Sequence, residues 1–136
     1  MLKELGEFLE NHAAVRQTIV IERSAMVQEI YLLGDNTHVW HNAQIGGSVT
    51  TGPDCVIGSS VYIGKGSTLG QSVHIQHGAF IPNRTKIGRG CFLGPNCTLT
   101  DDKNPKAGRF YRPLPPILED DCSIGAGAVI LPGVRI

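Results

Sequence analysis

No stretch of this chain is apolar for long enough to cross a membrane, and neither sign of charge dominates it. Twelve Lys and Arg balance twelve Asp and Glu. A spanning helix needs about 20 consecutive apolar residues, and a nucleic-acid binder carries a basic excess. Neither membrane nor nucleic acid is therefore an expected partner. Met1 to Glu10 is charged and lacks the continuous apolar run of a secretory leader. The four cysteines contain no Cys-x-x-Cys pair, so neither a zinc knuckle nor an extracellular disulfide scaffold is expected. These absences predict a reduced, cytoplasmic protein. Its 136 residues make one domain.

What the chain has is a period of six. Aliphatic residues recur at Val15, Ile21, Val27, Leu33, Val39 and Ile45, and again from Ile57 through Ile63, Leu69, Ile75, Ile81, Ile87, Leu93 and Leu99. Thr51 is the one departure. After an interruption the step resumes at Leu118, Ile124, Ile130 and Ile136. Gly often follows the aliphatic residue, and a small or branched residue stands four places after it. Six is neither the 3.6 of a helix nor the two of a free strand. It is the signature of a solenoid of parallel β-strands. Three hexads close a triangular coil, so residues 18 apart stack at about 4.8 Å. Cys55, Cys91, Cys97 and Cys122 all fall at the inward fourth place and are expected to be buried core filler.

Two segments depart from the period. Leu2, Leu5, Phe8, Leu9 and Ala13 recur at helical spacing, which predicts a short amphipathic helix over residues 1–14. Its expected role is to cap the open end of the solenoid, which then runs over 15–136. Residues 100–117, with four prolines and both signs of charge, predict one long loop leaving a corner; such loops are commonly functional.

Four segments then carry a resemblance: Val39 to Gly46 (VWHNAQIG), His74 to Ile81 (HIQHGAFI), Cys91 to Pro105 (CFLGPNCTLTDDKNP) and Ser123 to Ile136 (SIGAGAVILPGVRI). They resemble the nucleotide-sugar N-acetyltransferases of the hexapeptide-repeat acyltransferase family. The resemblance implies an all-β fold, a left-handed parallel β-helix with triangular coils. It also implies a homotrimer, acetyl-CoA as co-substrate in the cleft between neighbouring chains, and an amine on a nucleotide-linked sugar as acceptor. Two motif positions differ. Asp101 stands where the family has Asn, and His74-Ile75-Gln76-His77 replaces Lys-Ile-Gln-Asn. Family members normally continue beyond the equivalent of Ile136, so a non-catalytic scaffold is the alternative reading.

Acetyl transfer needs a nearby thioester carbonyl, oxyanion donors and a place for the amine's proton. Asp101 matches the family's active-site position and is the first candidate; His77, on an outward position, is the second. Asn83, one coil before Asp101, and His41, after the single Trp, are candidates for substrate contact. Arg109, Tyr111 and Arg112 suit a nucleotide diphosphate, with Tyr111 stacking on the base. Ala126 and Arg135 are the candidate coenzyme contacts. A rival is the gamma-type carbonic anhydrase, which binds zinc through three His on this fold. His41 with His77, or His38 with His74, are two coils apart, but the places for a third ligand hold Pro82 and Ala79, and two ligands do not make a catalytic zinc site. No metal is expected.

Overall fold

In each hexad one outward and one inward residue form a two-residue strand, and four further residues turn the corner. In Thr68–Leu69, Phe80–Ile81 and Lys86–Ile87 the first side chain is exposed and the second buried, the alternation of a pleated strand. The computed structural model describes residues 18–136, and there the hexads wind into a parallel β-helix. The helix expected over residues 1–14 lies outside the described residues.

The strands form three sheets. The first stacks Val20–Ile21, His38–Val39, Val56–Ile57, His74–Ile75, Phe92–Leu93 and Ser123–Ile124. The second stacks Met26–Val27, Gln44–Ile45, Tyr62–Ile63, Phe80–Ile81, Thr98–Leu99 and Val129–Ile130. The third has Thr50–Thr51, Thr68–Leu69, Lys86–Ile87 and Ile117–Leu118. In the first coil a 3₁₀ turn, Ile30–Leu32, precedes the third corner in place of a strand. Pairing is parallel throughout, and partners such as Val56 and His74 are 18 residues apart. Across the loop the offset becomes 31, as in Phe92 opposite Ser123.

The inward column is the core. Ile57, Ile63, Ile75, Ile81, Leu93 and Leu99 are fully buried, and burying each contributes about 1.5–3 kcal/mol. The fourth-place residues Ala43, Val49, Val61, Val73 and Ala79 fill the space between them. Cys55, Cys91 and Cys97 are buried as expected, but Cys122 is only half-buried. Ala128 and Ile130 are half-buried and Val134 exposed, because no coil among the described residues stacks on them.

The glycines do not act mainly as turn residues. At Gly64 an added Cβ would stand 2.5 Å from the backbone nitrogen of Asn83 in the next coil. Close approach of coil on coil is what excludes a side chain there. The left-handed backbone falls two places later, at Asn36, Asn42, Ser60, Gly66, Gly78, Arg84 and Asn96.

Residues 100–116 leave the corner between the second and third sheets. Their base is closed by the Leu114 N–H donating to the Asp101 carbonyl at 2.8 Å and the Gly133 N–H donating to the Leu114 carbonyl at 2.9 Å. Ile117 already belongs to the third sheet, and Pro116 turns into the core. Phe110, beyond this base, is 88% exposed.

Candidate active site

Asp101, Asn83 and Lys65 sit one above another on the corner between the second and third sheets. The coil below the loop is fixed by a buried polar group. Ser67 Oγ and Thr85 Oγ1 both donate to the Pro82 carbonyl, at 3.0 and 2.7 Å, and Ser67 Oγ accepts the Thr85 N–H at 3.2 Å. Satisfied in this way, the group costs little to bury. It holds Pro82, and with it Asn83 and Arg84, against the strand below. A hollow of 370 Å³ opens here, lined by Lys65, Gly66, Asn83 and Arg84.

Asp101 is half-buried at the root of the loop. Its carboxyl is held above the ordinary value of 3.8, first by burial. A hydrogen bond from its own backbone works the other way, neighbouring Asp102 adds to the rise, and Arg84 opposes it. A carboxylate raised in this way accepts a proton more readily than a solvated one.

The other predicted base lies elsewhere. His77 and His41 occupy the corner between the first and second sheets, so one chain does not bring His77 to Asp101. His77 Nδ1 accepts the Ser59 N–H at 2.8 Å, which puts the proton of the neutral ring on Nε2. The nitrogen facing solvent is therefore a donor. His41 is held at both ends: Nδ1 is 3.2 Å from Ser24 Oγ and Nε2 is 3.4 Å from Glu22 Oε2. The same carboxylate reaches His38 Nε2 at 3.0 Å, and the His38 ring stacks on Trp40 with centroids 4.4 Å apart.

The loop residues divide. Arg109 folds back on its own loop, donating to the Asn104 carbonyl at 2.8 Å and standing 3.6 Å from Asp102 Oδ1. Tyr111 and Arg112 are exposed. Of the two expected coenzyme contacts, Ala126 is exposed above Pro95, while Arg135 is paired with Glu119 at 2.8 Å. Among the described residues of one chain no group of three His, Cys, Asp or Glu is placed to hold a metal ion. The sequence reading missed Arg84, and missed Glu22 as the clasp of two histidines. Counting by 18 from Asp101 reaches Lys65. Nothing in the hexad flags Glu22, which meets His38 and His41 only through stacking.

A solenoid with a polar corner under a projecting loop defines the class; the comparisons define the family. The pattern described as "Bacterial transferase hexapeptide (six repeats)" matches residues 66–101. That described as "Hexapeptide repeat of succinyl-transferase" matches 42–82 and 115–136. The chain belongs to the hexapeptide-repeat family. No curated protein matches it by sequence. Among solved structures it is similar to the acetyltransferase domain of PglB from Neisseria gonorrhoeae, at 20% identity and a TM-score of 0.70, over 94% of this chain and 57% of that one. It is also similar to a histidine-to-alanine variant of GDP-perosamine N-acetyltransferase from Caulobacter crescentus, solved with CoA and GDP-perosamine. There the identity is 16% and the TM-score 0.52, over 98% of this chain and 54% of that one. The chain thus spans little more than half the length of either, and the likeness is one of fold.

Proposed function

We propose that this chain is the β-helix of an acyltransferase that moves an acetyl group from acetyl-CoA to an amine of a nucleotide-linked sugar. Asp101 carries the reading. It is a half-buried carboxyl with a raised pKa, at the root of the loop, on the same corner as a hollow lined by Lys65, Gly66, Asn83 and Arg84. In the proposed reaction the unprotonated amine attacks the thioester carbonyl. Asp101 accepts the proton released as the C–N bond forms. The tetrahedral intermediate then expels the coenzyme thiolate, which takes up a proton. His77, with Nε2–H facing outward, serves as a donor to the oxyanion or to the sugar.

Asp101 and His77 stand on different corners, so a common site requires two chains. A closed three-fold ring sets different surfaces of neighbouring chains together, and a homotrimer supplies that arrangement. The loop would then lie over the neighbour, with Tyr111 and Arg112 turned toward the nucleotide. The acetyltransferase names of the two solved relatives agree with this chemistry. The test is release of free CoA thiol when the protein is mixed with acetyl-CoA and UDP- or GDP-linked amino sugars. Release that needs the amino sugar supports the reading. No release with any of them, from protein that is trimeric in solution, rejects it.

A further inference from the structure

The left-handed corner position is filled almost everywhere by residues that tolerate it: Asn36, Asn42, Asp54, Asn96, Asp121, three serines and glycines such as Gly66, Gly78 and Gly90, but Arg84 at φ 59°. Arg is the single long cationic side chain at this place among the described residues. Positive φ in a residue with no short polar group to bond its own backbone is strained. Nothing in the corner requires it, since the coil below makes the same turn with Gly66 at φ 74°.

The side chain is nonetheless given room. Its Cγ lies 3.2 Å from where a Cβ on Gly66 would stand, so Gly66 clears the path for the Arg84 stem toward Lys65. The Arg84 N–H donates to the Lys65 carbonyl at 2.9 Å, locking the two coils in register. Neither Lys65 nor Arg84 is in an ion pair within the described residues; the Arg84 charge reaches Asp101, where it opposes part of the rise that burial causes. Two cations and the Asn83 amide therefore share one open hollow of 370 Å³. A planar guanidinium beside a point-charge ammonium and an amide donor suits the oxygens of a diphosphate.

We infer that Lys65, Asn83 and Arg84 form a diphosphate-binding subsite, and that strain at Arg84 is retained for it. The inference rests on the proposed reaction for its polarity. Asp101 is one coil above Asn83 and two above Lys65, at about 4.8 Å per coil. A sugar diphosphate lying along this corner would place its phosphates on the cations and its amine beside the carboxyl. Arg109, the residue first expected in this role, is already engaged by Asp102 and Asn104.

The strain makes the test two-sided. Arg84→Gly removes the strain and the charge together. The melting temperature should rise by about 3–6 °C, while binding of inorganic pyrophosphate, UDP and GDP, measured by titration calorimetry, should weaken by about 10–100-fold. Arg84→Lys and Lys65→Ala should weaken pyrophosphate to a smaller degree. Coenzyme A is titrated in parallel, because its own diphosphate has the same chemistry. A loss confined to UDP and GDP assigns the subsite to the acceptor, and a loss confined to CoA assigns it to the donor. Unchanged pyrophosphate binding in Arg84→Gly and Lys65→Ala overturns the inference. These measurements need no turnover, so diphosphate binding that depends on Arg84 without acetyl transfer rejects only the reaction. Transfer that survives Arg84→Gly with unaltered KM rejects only the subsite.

Discussion

Thr37 and Thr85 occupy equivalent inward places in different coils and are both fully buried, yet their hydroxyls fare differently. Thr85 Oγ1 donates to the Pro82 carbonyl; Thr37 Oγ1 has no partner among the described residues. Thr37→Val should therefore stabilise the fold by about 1 kcal/mol, and Thr85→Val should destabilise it by about 1–2 kcal/mol. Urea unfolding of both variants measures the contrast. Equal effects would mean that hydroxyl pairing does not govern these inward places. At Asp101 the expected consequence is catalytic. Asp101→Ala should lower turnover by about 10²–10⁴-fold with CoA binding retained, and Asp101→Asn should lose as much if the carboxyl accepts the proton. Its effect on stability follows from the sign of its shift. A carboxyl raised above 3.8 by burial binds protons more readily when folded. Its contribution is fully present below the unfolded value and is lost as pH rises through the folded one. Asp101→Asn should thus melt higher than the parent at about pH 7, with the gain shrinking as pH falls toward 4. A gain that grows on acidification contradicts the assigned shift. The inward and outward roles of these residues could be counted from the sequence. The partners of a buried hydroxyl could not, because Pro82 meets Ser67 only when one coil lies on another.

The loop tests how far a corner can be altered without touching the solenoid. Pairing across it has an offset of 31 residues where other coils have 18. Excising residues 103–115 joins Asp102 to Pro116 and restores a four-residue corner between Leu99 and Ile117. Asp102 would then take the left-handed place, which Asp tolerates, and Pro116 already points inward. The excised protein is expected to keep its β-sheet circular dichroism and to melt within a few degrees of the parent, because loop length has a small entropic effect. Acetyl transfer should be lost. A collapse of the fold would show that the loop braces the upper coils. The sequence marked this element well, since composition and broken period both change at Thr100 and the step returns at Leu118. The expected boundary at residue 117 was one place late, as Ile117 is the outward half of the next strand. The sequence also suggested that the loop's cations were free for a ligand. Arg109 is not, because Asp102 and Asn104 lie within reach once the loop folds back.

At the scale of the molecule, the three sheets differ in what they show to the outside. The second sheet carries Met26, Tyr62, Phe80 and Val129 on its outer face, interrupted by Gln44 and Thr98, with Met26 68% exposed and the Tyr62 and Phe80 rings stacked at 5.1 Å. The third presents Thr50, Thr68 and Lys86. An apolar stripe along one face marks an association surface, and the proposed trimer would bury it. Light scattering should give three chains per particle at micromolar concentration. Tyr62→Lys together with Phe80→Lys should shift it to one chain with the secondary structure kept. A parent that stays monomeric, or a double variant that stays trimeric, rejects this surface. The solenoid could be read from the sequence because the inward residues, Thr51 apart, obey one rule. The assembly could not, because outward residues obey no period, and their meaning depends on which neighbours stacking provides.

The corner geometry has a consequence for how such a chain can vary. In most hexads one place is limited by the coil above to a residue without Cβ, with Trp40, Gln76 and Pro82 as exceptions, one by backbone handedness to small polar residues or Gly, with Arg84 as the exception, and two by the core to aliphatic or small side chains. The remaining two are held by nothing inside the prism. A map of tolerated substitutions along residues 38–99 should therefore be a wave with a wavelength of six, with troughs at the constrained places. Where an outward position falls into a trough, the wave will have located a site of selection for chemistry rather than for folding.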